Sequence, residues 1–351
     1  MTGRYRRLWR QYLRPVFLRC ARLEGLLSYT SLLIGRQKRH AMAHIYQLED
    51  AHLTQDTAVT IGIFDGVHLG HQALITRFVQ AAYDAGQRAV VVTFYPHPDA
   101  VLRNISGRYY LTTLEQKADL MLNLGVDLVV THPFNEATRQ MRASVFADRL
   151  IEHLRMKAVW VGVDFALGYQ REGNVAFLRE QGEQRGFTVQ AIDLVAHERE
   201  GDVIRSTAIR EAVQAGDMEV VRKGLGRSYA VRGLVVAGQQ RGRTIGFPTA
   251  NIAVWEEQLL PPNGVYAGWA SWGHERHMAV TNIGVRPTFD GQGVTVETYL
   301  LDYEGDLYGK TLGVTFEQRL RSEMKFNGLE ALIAQIRADV ETSRSVLSTS
   351  V

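Results

Sequence analysis

The sequence predicts an α/β chain in two parts, a doubly wound parallel-sheet domain followed by an antiparallel β-barrel that closes on one helix. Three observations carry this. Between residues 58 and 192, near-continuous apolar runs of strand length alternate with helical patterns, as in a parallel sheet covered on both faces. After residue 226 the pattern becomes short alternating segments separated by glycine-containing turns, which is antiparallel β structure. The last segment returns to apolar residues at helical spacing.

In chain order, the first half sets strands at 58–64 (AVTIGIF), 89–94 (AVVVTF), 126–131 (VDLVVT), 158–162 (AVWVG) and 187–192 (FTVQAI). Helices fall at 70–85, 114–124, 144–155 and 174–185. Gly86, Gly125 and Gly186 stand just past three of them, where a left-handed residue ends a helix. The second half sets strands at 229–238, 264–272, 277–284, 294–303 and 310–320. The closing helix puts Leu329, Leu332, Ile333, Ile336 and Val340 on one stripe. The boundary is expected near Lys223–Arg227, giving domains 42–225 and 226–351.

Composition narrows the function. Of 351 residues, 46% are hydrophobic and 22% charged, the make-up of an ordinary globular protein. The single cysteine, Cys20, excludes an intramolecular disulfide and a cysteine-rich zinc site. The net charge of +3 comes from residues 1–41, which hold ten Lys/Arg against Glu24 alone. The remaining 30 basic and 36 acidic groups leave the body mildly acidic, without the basic stripe that a nucleic-acid partner needs. The longest uncharged stretch of the first segment, residues 25–35, is shorter than the about 20 residues that span a bilayer. Three readings of that segment stay open: a signal peptide cleaved near Ala41–Ala43, an Arg-rich mitochondrial presequence, and a disordered or mis-annotated extension before a start at Met42. The last is carried forward, with a cytoplasmic location and no membrane partner.

Two stretches carry chemistry. The first strand runs into GIFDGVHLGH (62–71), a glycine-rich turn between a parallel strand and its helix, at the sheet edge where α/β proteins bind ligands. The helix N-terminus offers unpaired N–H groups and a positive dipole end to phosphate, and His68 and His71 stand beside it. His132, next to a proline, reads as a solvated loop residue. In the second half no G-x-x-x-x-G-K-[ST] occurs, which excludes a P-loop. Instead Gly238, Gly242 and Arg243 of GQQRGR let backbone amides approach phosphates. GFPTAN (246–251) then places Thr249 and Asn251 two apart, on one face if extended, as hard oxygen ligands for a nucleotide-borne Mg²⁺. HERH (274–277) reads as an exposed hairpin loop and NIS (104–106) as an idle sequon.

These strings, with TFYPHP (93–98), VGVDFALGYQREG (161–173), VIRSTAIR (203–210), TNIGVRPTF (281–289), VETYLLD (296–302), DLYGK (306–310) and LRSEMKF (320–326), resemble the prokaryotic bifunctional riboflavin kinase/FAD synthetase (FMN adenylyltransferase) family over about residues 44–342. The resemblance implies ATP and riboflavin as substrates, FMN as intermediate, FAD as product and Mg²⁺ as the metal. It places Gly62, Phe64, Asp65, Gly66, His68, Gly70, His71, Ser206, Thr207 and Arg210 at the ATP of the adenylyltransferase, with His97 and Asn135 beside its FMN. It places Gly238, Gly242, Arg243, Gly246, Pro248, Thr249 and Asn251 at the ATP of the kinase, Glu297 as catalytic base, and Arg321, Glu323 and Phe326 near its flavin. The sequence departs from the family where its first serine of the I-S-S-T motif is Arg205, which raises the alternative of a kinase with an impaired adenylyltransferase; a second alternative is a non-catalytic flavin- or nucleotide-binding regulator, which loss of His68, His71 or Glu297 would favour, and all three are present.

Overall fold

The apolar runs become strands because both of their faces are covered. Every residue of β2 (Thr57–Ile61) is buried. The computed structural model describes residues 43–192, 204–238, 241–288 and 291–349, and residues 43–351 form one compact unit. The basic segment and Cys20 lie outside the described residues.

The first half runs β1 (His44–Ile45), β2, α1 (Leu69–Asp84), β3 (Arg88–Tyr95), α2 (Pro98–Leu102), α3 (Leu114–Asn123), β4 (Leu128–Pro133), α4 (Glu136–Gln140), α5 (Ala143–Leu154) and β5 (Met156–Gly162). A small hairpin, β6 (Ala166–Leu167) and β7 (Gly173–Asn174), precedes α6 (Val175–Arg185) and β8 (Thr188–Ile192). The sheet order is β1-β4-β3-β2-β5-β8, and every pair is parallel. Alternation decides the layers. Ala58, Val91 and Val129 face Ile75 and Phe78 of α1 and Met121 of α3, while Val59, Val90, Val92 and Val130 face Phe146 and Leu150 of α5 and Leu178 of α6. The chain moves outward from β2 to β3 and β4, then returns to β5 on the other side of β2. The carboxyl end of β2 is thus the switch point where such sheets take ligands.

Helices α7 (Ser206–Ala215) and α8 (Met218–Leu225) follow, then β9 (Tyr229–Val236), α9 (Arg241–Thr244), β10 (Thr249–Val254), β11 (Gly264–Trp272), β12 (Glu275–Thr288), β13 (Gly291–Leu300), β14 (Thr311–Phe316), β15 (Gln318–Arg321) and α10 (Leu329–Ser348). The strands close in the order β12-β13-β10-β9-β14-β11 and back to β12, with β15 added along β11. Closure leaves these six strands without an open edge. Tyr229, Tyr266 and Phe316, each almost wholly buried, fill the interior. Ile209, Ala212 and Val213 of α7, Val221 and Leu225 of α8, and Leu111 belong to that same apolar core. No helix among the described residues is long and apolar enough to cross a membrane.

Some expectations are corrected here. The run at 310–320 is two strands, because the chain leaves β14 at Glu317 to pair again with β11. His132 is no solvated loop residue. It is the penultimate residue of β4, only 4% exposed, between Phe94 and Phe146, and neither ring nitrogen has a hydrogen-bond partner. The sheet extends two residues past the expected strand end and carries the ring inside. Leu329 of the terminal stripe is 57% exposed, while Leu332, Ile333, Ile336 and Val340 are half-buried. Of HERH only His274 lies in the hairpin turn; Glu275–His277 already belong to β12, where half-buried His277 stands opposite Ala270 and stacks on Trp272, with 5.3 Å between ring centroids.

Candidate active sites

The first site is a strained turn. Between β2 and α1 the backbone takes positive φ at Phe64 (52°), Gly66 (77°) and Val67 (40°). For Phe and β-branched Val this costs on the order of 1–3 kcal/mol each, and such strain is found where geometry serves function. Gly62 is required because a Cβ there would lie 2.8 Å from the Phe64 ring; at Gly66 it would lie 2.7 Å from Leu111. His68 caps α1, its Nδ1 accepting from the His71 N–H at a long 3.4 Å, and the two rings stack at 3.6 Å between centroids. Gly70 sits in the first turn of the helix between them. Burial pushes the His68 imidazole down to about 4, with Arg227 adding to the fall and Asp65 opposing it. Burial, then His68, then Lys117 hold His71 well below the usual histidine range. Both rings are therefore neutral near pH 7, and each donates a single N–H. With Nδ1 of His68 accepting, its proton is on Nε2, and Nδ1 of His71 is buried without a partner.

The turn is held from behind. Asp65, 3% exposed, accepts from the Leu111 N–H with both carboxylate oxygens at 3.1 Å and pairs with Arg210 Nη2 at 2.7 Å. Ser206, first in α7, donates its hydroxyl to the Asp65 carbonyl at 3.0 Å. This brings the N-terminus of α7 against the turn that opens α1, so two positive dipole ends meet at one place. Thr207 is exposed in the first turn of α7, and Arg205 is the exposed N-cap residue. Arg210, expected at ATP phosphates, is 8% exposed and already engaged by Asp65 and by the Tyr109 carbonyl. His97 is buried, caps α2, and is lowered to about 4 by burial and then Arg210. Asn135 is exposed and caps α4 through Oδ1.

Two cations here escaped the sequence reading because nothing in their local sequence marks them. Lys117, 4% exposed, donates to the Ile63 carbonyl and the Thr93 hydroxyl, and burial brings its ammonium down to about 8. Arg227 donates to the Gly66, Val67 and Leu225 carbonyls at 2.6–3.2 Å.

The second site lies on the barrel. GFPTAN is extended from Thr249 onward, so Thr249 and Asn251 share one face of β10. Asn251 stands opposite Glu297 of β13, and Glu297 opposite Asn282 of β12. A cavity of about 370 Å³ is lined by Thr249, Glu297, Phe247, Arg321, Glu323 and Phe326. Leu332, Ile336 and Asp339 of α10 close its side, which explains why the helix stripe is half-buried. A second cavity, of about 540 Å³, is lined by Arg243, Pro248, Thr249 and the 303–308 loop. Thr249 borders both, so one space opens toward Glu297 and the other toward the glycine-rich α9 region. Arg321 is fixed by a two-pronged pair with the buried Asp339, at 3.0 and 2.8 Å. Asp339 and Asn282 were not identifiable from the sequence, since their relevance arises only when α10 and β12 pack beside Glu297. Gly246 takes a positive φ of 85° and leads the chain into β10.

A strained glycine-rich turn at the switch point of a doubly wound sheet, and a barrel strand bordering two cavities, are thus two separate candidate sites. Comparison with known proteins agrees. The family model for riboflavin kinase matches residues 225–347 and that for FAD synthetase residues 50–208. The bifunctional riboflavin kinase/FMN adenylyltransferase of Listeria monocytogenes is 40% identical over 289 residues, covering 82% of this chain and 91% of its own. That of Pseudomonas fluorescens is 39% identical over 293 residues, covering 83% and 93%. The solved structure of a macrolide-efflux protein from Streptococcus pneumoniae, 29% identical, covers 86% of this chain and 98% of its own, with a TM-score of 0.74. The chain belongs to the bifunctional riboflavin kinase/FMN adenylyltransferase family.

Proposed function

We propose that the barrel transfers the γ-phosphoryl group of ATP to riboflavin, and that the parallel-sheet domain joins the resulting FMN to the AMP moiety of a second ATP, releasing pyrophosphate and FAD. The reading places both reactions in the cytoplasm. The observation that carries it is that one chain matches both family models, over separate stretches.

In the barrel, Glu297 is the catalytic base. It takes the proton of the ribityl hydroxyl as that oxygen bonds to the γ-phosphorus and ADP leaves. Riboflavin occupies the cavity bordered by Phe247, Phe326 and α10, and ATP the cavity beside Arg243. Thr249 and Asn251 would hold a magnesium ion brought with the nucleotide. Their surroundings fit it: a Cβ at Gly238 would stand 2.2 Å from Asn251 Nδ2, so glycine there leaves the Asn251 amide room for a ligand. The ion, when bound, neutralises phosphate charge. In the sheet domain no side-chain nucleophile is needed. A phosphate oxygen of FMN attacks the α-phosphorus, and the bond to pyrophosphate breaks. His68 and His71, as neutral donors, and the two helix N-termini stabilise the charge that moves onto the leaving group.

The test is a single incubation with riboflavin, ATP and Mg²⁺, with the flavins resolved over time. FMN that rises and gives way to FAD supports both sites. FMN that accumulates would mean Arg205 leaves a kinase with a silent adenylyltransferase, and no turnover would leave a binding protein.

A further inference from the structure

One short segment of the barrel half reaches across to the other site. Beyond β10 the chain continues through residues 255–259, and these dock on residues 108–111 of the sheet domain. Tyr109 and Tyr110 donate their N–H groups to the Glu257 carbonyl at 2.8 and 3.0 Å, and Leu259 N–H donates to the Tyr110 carbonyl at 2.8 Å. Arg108 Nη1 donates to the carbonyls of Trp255 and Gln258 at 3.1 and 2.8 Å. Gln258, wholly buried, donates to the Leu111 carbonyl and to Gln116 Oε1.

What the docked strip holds is chemically pointed. Leu111 N–H is the donor to Asp65 in the phosphate turn. The Tyr110 hydroxyl accepts from the His97 N–H at 2.8 Å, inside TFYPHP. Tyr95, in the same TFYPHP string, donates its hydroxyl to Glu257 Oε2 at 3.0 Å. The Trp255 ring lies 4.9 Å from that of Tyr110 and 5.9 Å from that of Tyr95, between centroids. So both loops that border the adenylyltransferase are tied, through Tyr95, Tyr110 and Leu111, to a segment that belongs to the kinase half. The same segment runs on directly from the strand of Thr249 and Asn251.

Resting on the reading that the sheet domain adenylylates FMN, we infer that Glu257 and Trp255, contributed by the kinase half, are positioning residues of the adenylyltransferase. They act through Tyr95 and Tyr110 to fix the TFYPHP loop beside the flavin phosphate. A hydrogen bond from a hydroxyl to a carboxylate is strong enough to set a loop, and its loss shifts affinity by about tenfold.

The experiment uses the full chain and measures FAD formation from supplied FMN alongside FMN formation from riboflavin. Glu257→Ala is expected to raise KM for FMN about tenfold, while kcat and KM for riboflavin stay within about twofold of the parent. Glu257→Gln, whose amide oxygen still accepts from Tyr95, is expected to retain most of the FMN affinity. Tyr95→Phe should reproduce Glu257→Ala, and the double variant should be no worse than either single one, because each removes the same bond. Should Glu257→Ala fail to fold, Tyr95→Phe deletes one hydroxyl and carries the same test. An unchanged KM for FMN in Glu257→Ala and Tyr95→Phe, or an equal loss in both activities, overturns the inference. A parent that makes no FAD from FMN would instead remove the reading on which it rests.

Discussion

Removing the charge of Asp65 tests whether Arg210 is an anchor of the phosphate turn or a ligand of phosphate. The carboxylate is 3% exposed and receives four contacts at hydrogen-bond distance, two from the Leu111 N–H at 3.1 Å, one from the Thr112 hydroxyl at 3.5 Å and one from Arg210 at 2.7 Å. Arg210 keeps the Tyr109 carbonyl, at 3.0 Å, and the face of the Tyr109 ring, 4.1 Å from its centroid, if the carboxylate goes. Leaving one partner of a buried ion pair costs about 3–5 kcal/mol. An unpaired Leu111 N–H adds about 1–3 kcal/mol to this for Asp65→Ala. Arg210→Met is expected to cost about 3 kcal/mol by the same reasoning, since the carboxylate then stays buried with neutral donors alone. The double variant Asp65→Ala with Arg210→Met removes both partners of the pair, so it should fall short of the summed single losses by at least about 2 kcal/mol. Urea unfolding of the parent, the singles and the double measures this directly. Additivity, with coupling below about 0.5 kcal/mol, would refute the anchor and return Arg210 to the phosphates as the family resemblance has it.

Three further outcomes follow from the two sites. Glu297→Gln should lower FMN formation from riboflavin by about 10²–10⁴-fold while supplied FMN is still converted to FAD, as flavin chromatography would report. His71→Ala should do the reverse, and if either variant lost both activities in a folded protein the two-site assignment would fail. The third concerns acid. His68 and His97 are lowered to about 4 from an ordinary 6.5, so the unfolded chain binds the proton first. The stability this confers is complete above pH 6.5 and is lost as pH falls toward 4. At 1.36 kcal/mol per unit the loss is at most about 3 kcal/mol for each ring. Urea midpoints between pH 7 and 4.5 should fall with pH, less steeply in His68→Gln, and a flat profile would contradict the buried neutral rings.

Much of the fold is written in periodicity. The five apolar runs of the first half become β2, β3, β4, β5 and β8, because residues buried on both faces leave a continuous signal. The phosphate turn is legible too, since Gly62 and Gly66 stand where the Phe64 ring and the Leu111 side chain leave no room for a Cβ. What could not be read is pairing at a distance. Lys117 looks like one more charge on a helix, and only the packing of α3 under the turn buries its ammonium against Ile63 and Thr93. Asp339 reads as a solvated residue on a helical stripe until Arg321 arrives from β15. His132 sits next to a proline, a loop signature, yet Phe94 and Phe146 enclose it because β4 runs on to the end of β3. Local sequence records which face a residue takes, and it does not record which neighbour meets it there.

Helix α7 shows why the two halves stand as one unit. Its first residue donates to the phosphate turn and Arg210 grips Asp65, so one face serves the sheet domain. Ile209, Ala212 and Val213, on the face adjoining it, lie in the apolar core of the barrel. A helix with a polar face committed to one site and an apolar face committed to the other domain cannot shift for one without disturbing the other, because a close-packed core does not deform continuously. The Trp255–Leu259 strip adds a second tie at the other flank of the same turn, through Tyr110 and Leu111. The phosphate turn is therefore clamped between two elements that the barrel supports. In a chain whose first product is the substrate of its second reaction, that clamp makes the shape of the adenylyltransferase depend on an intact kinase half, whether or not FMN passes through solution between them.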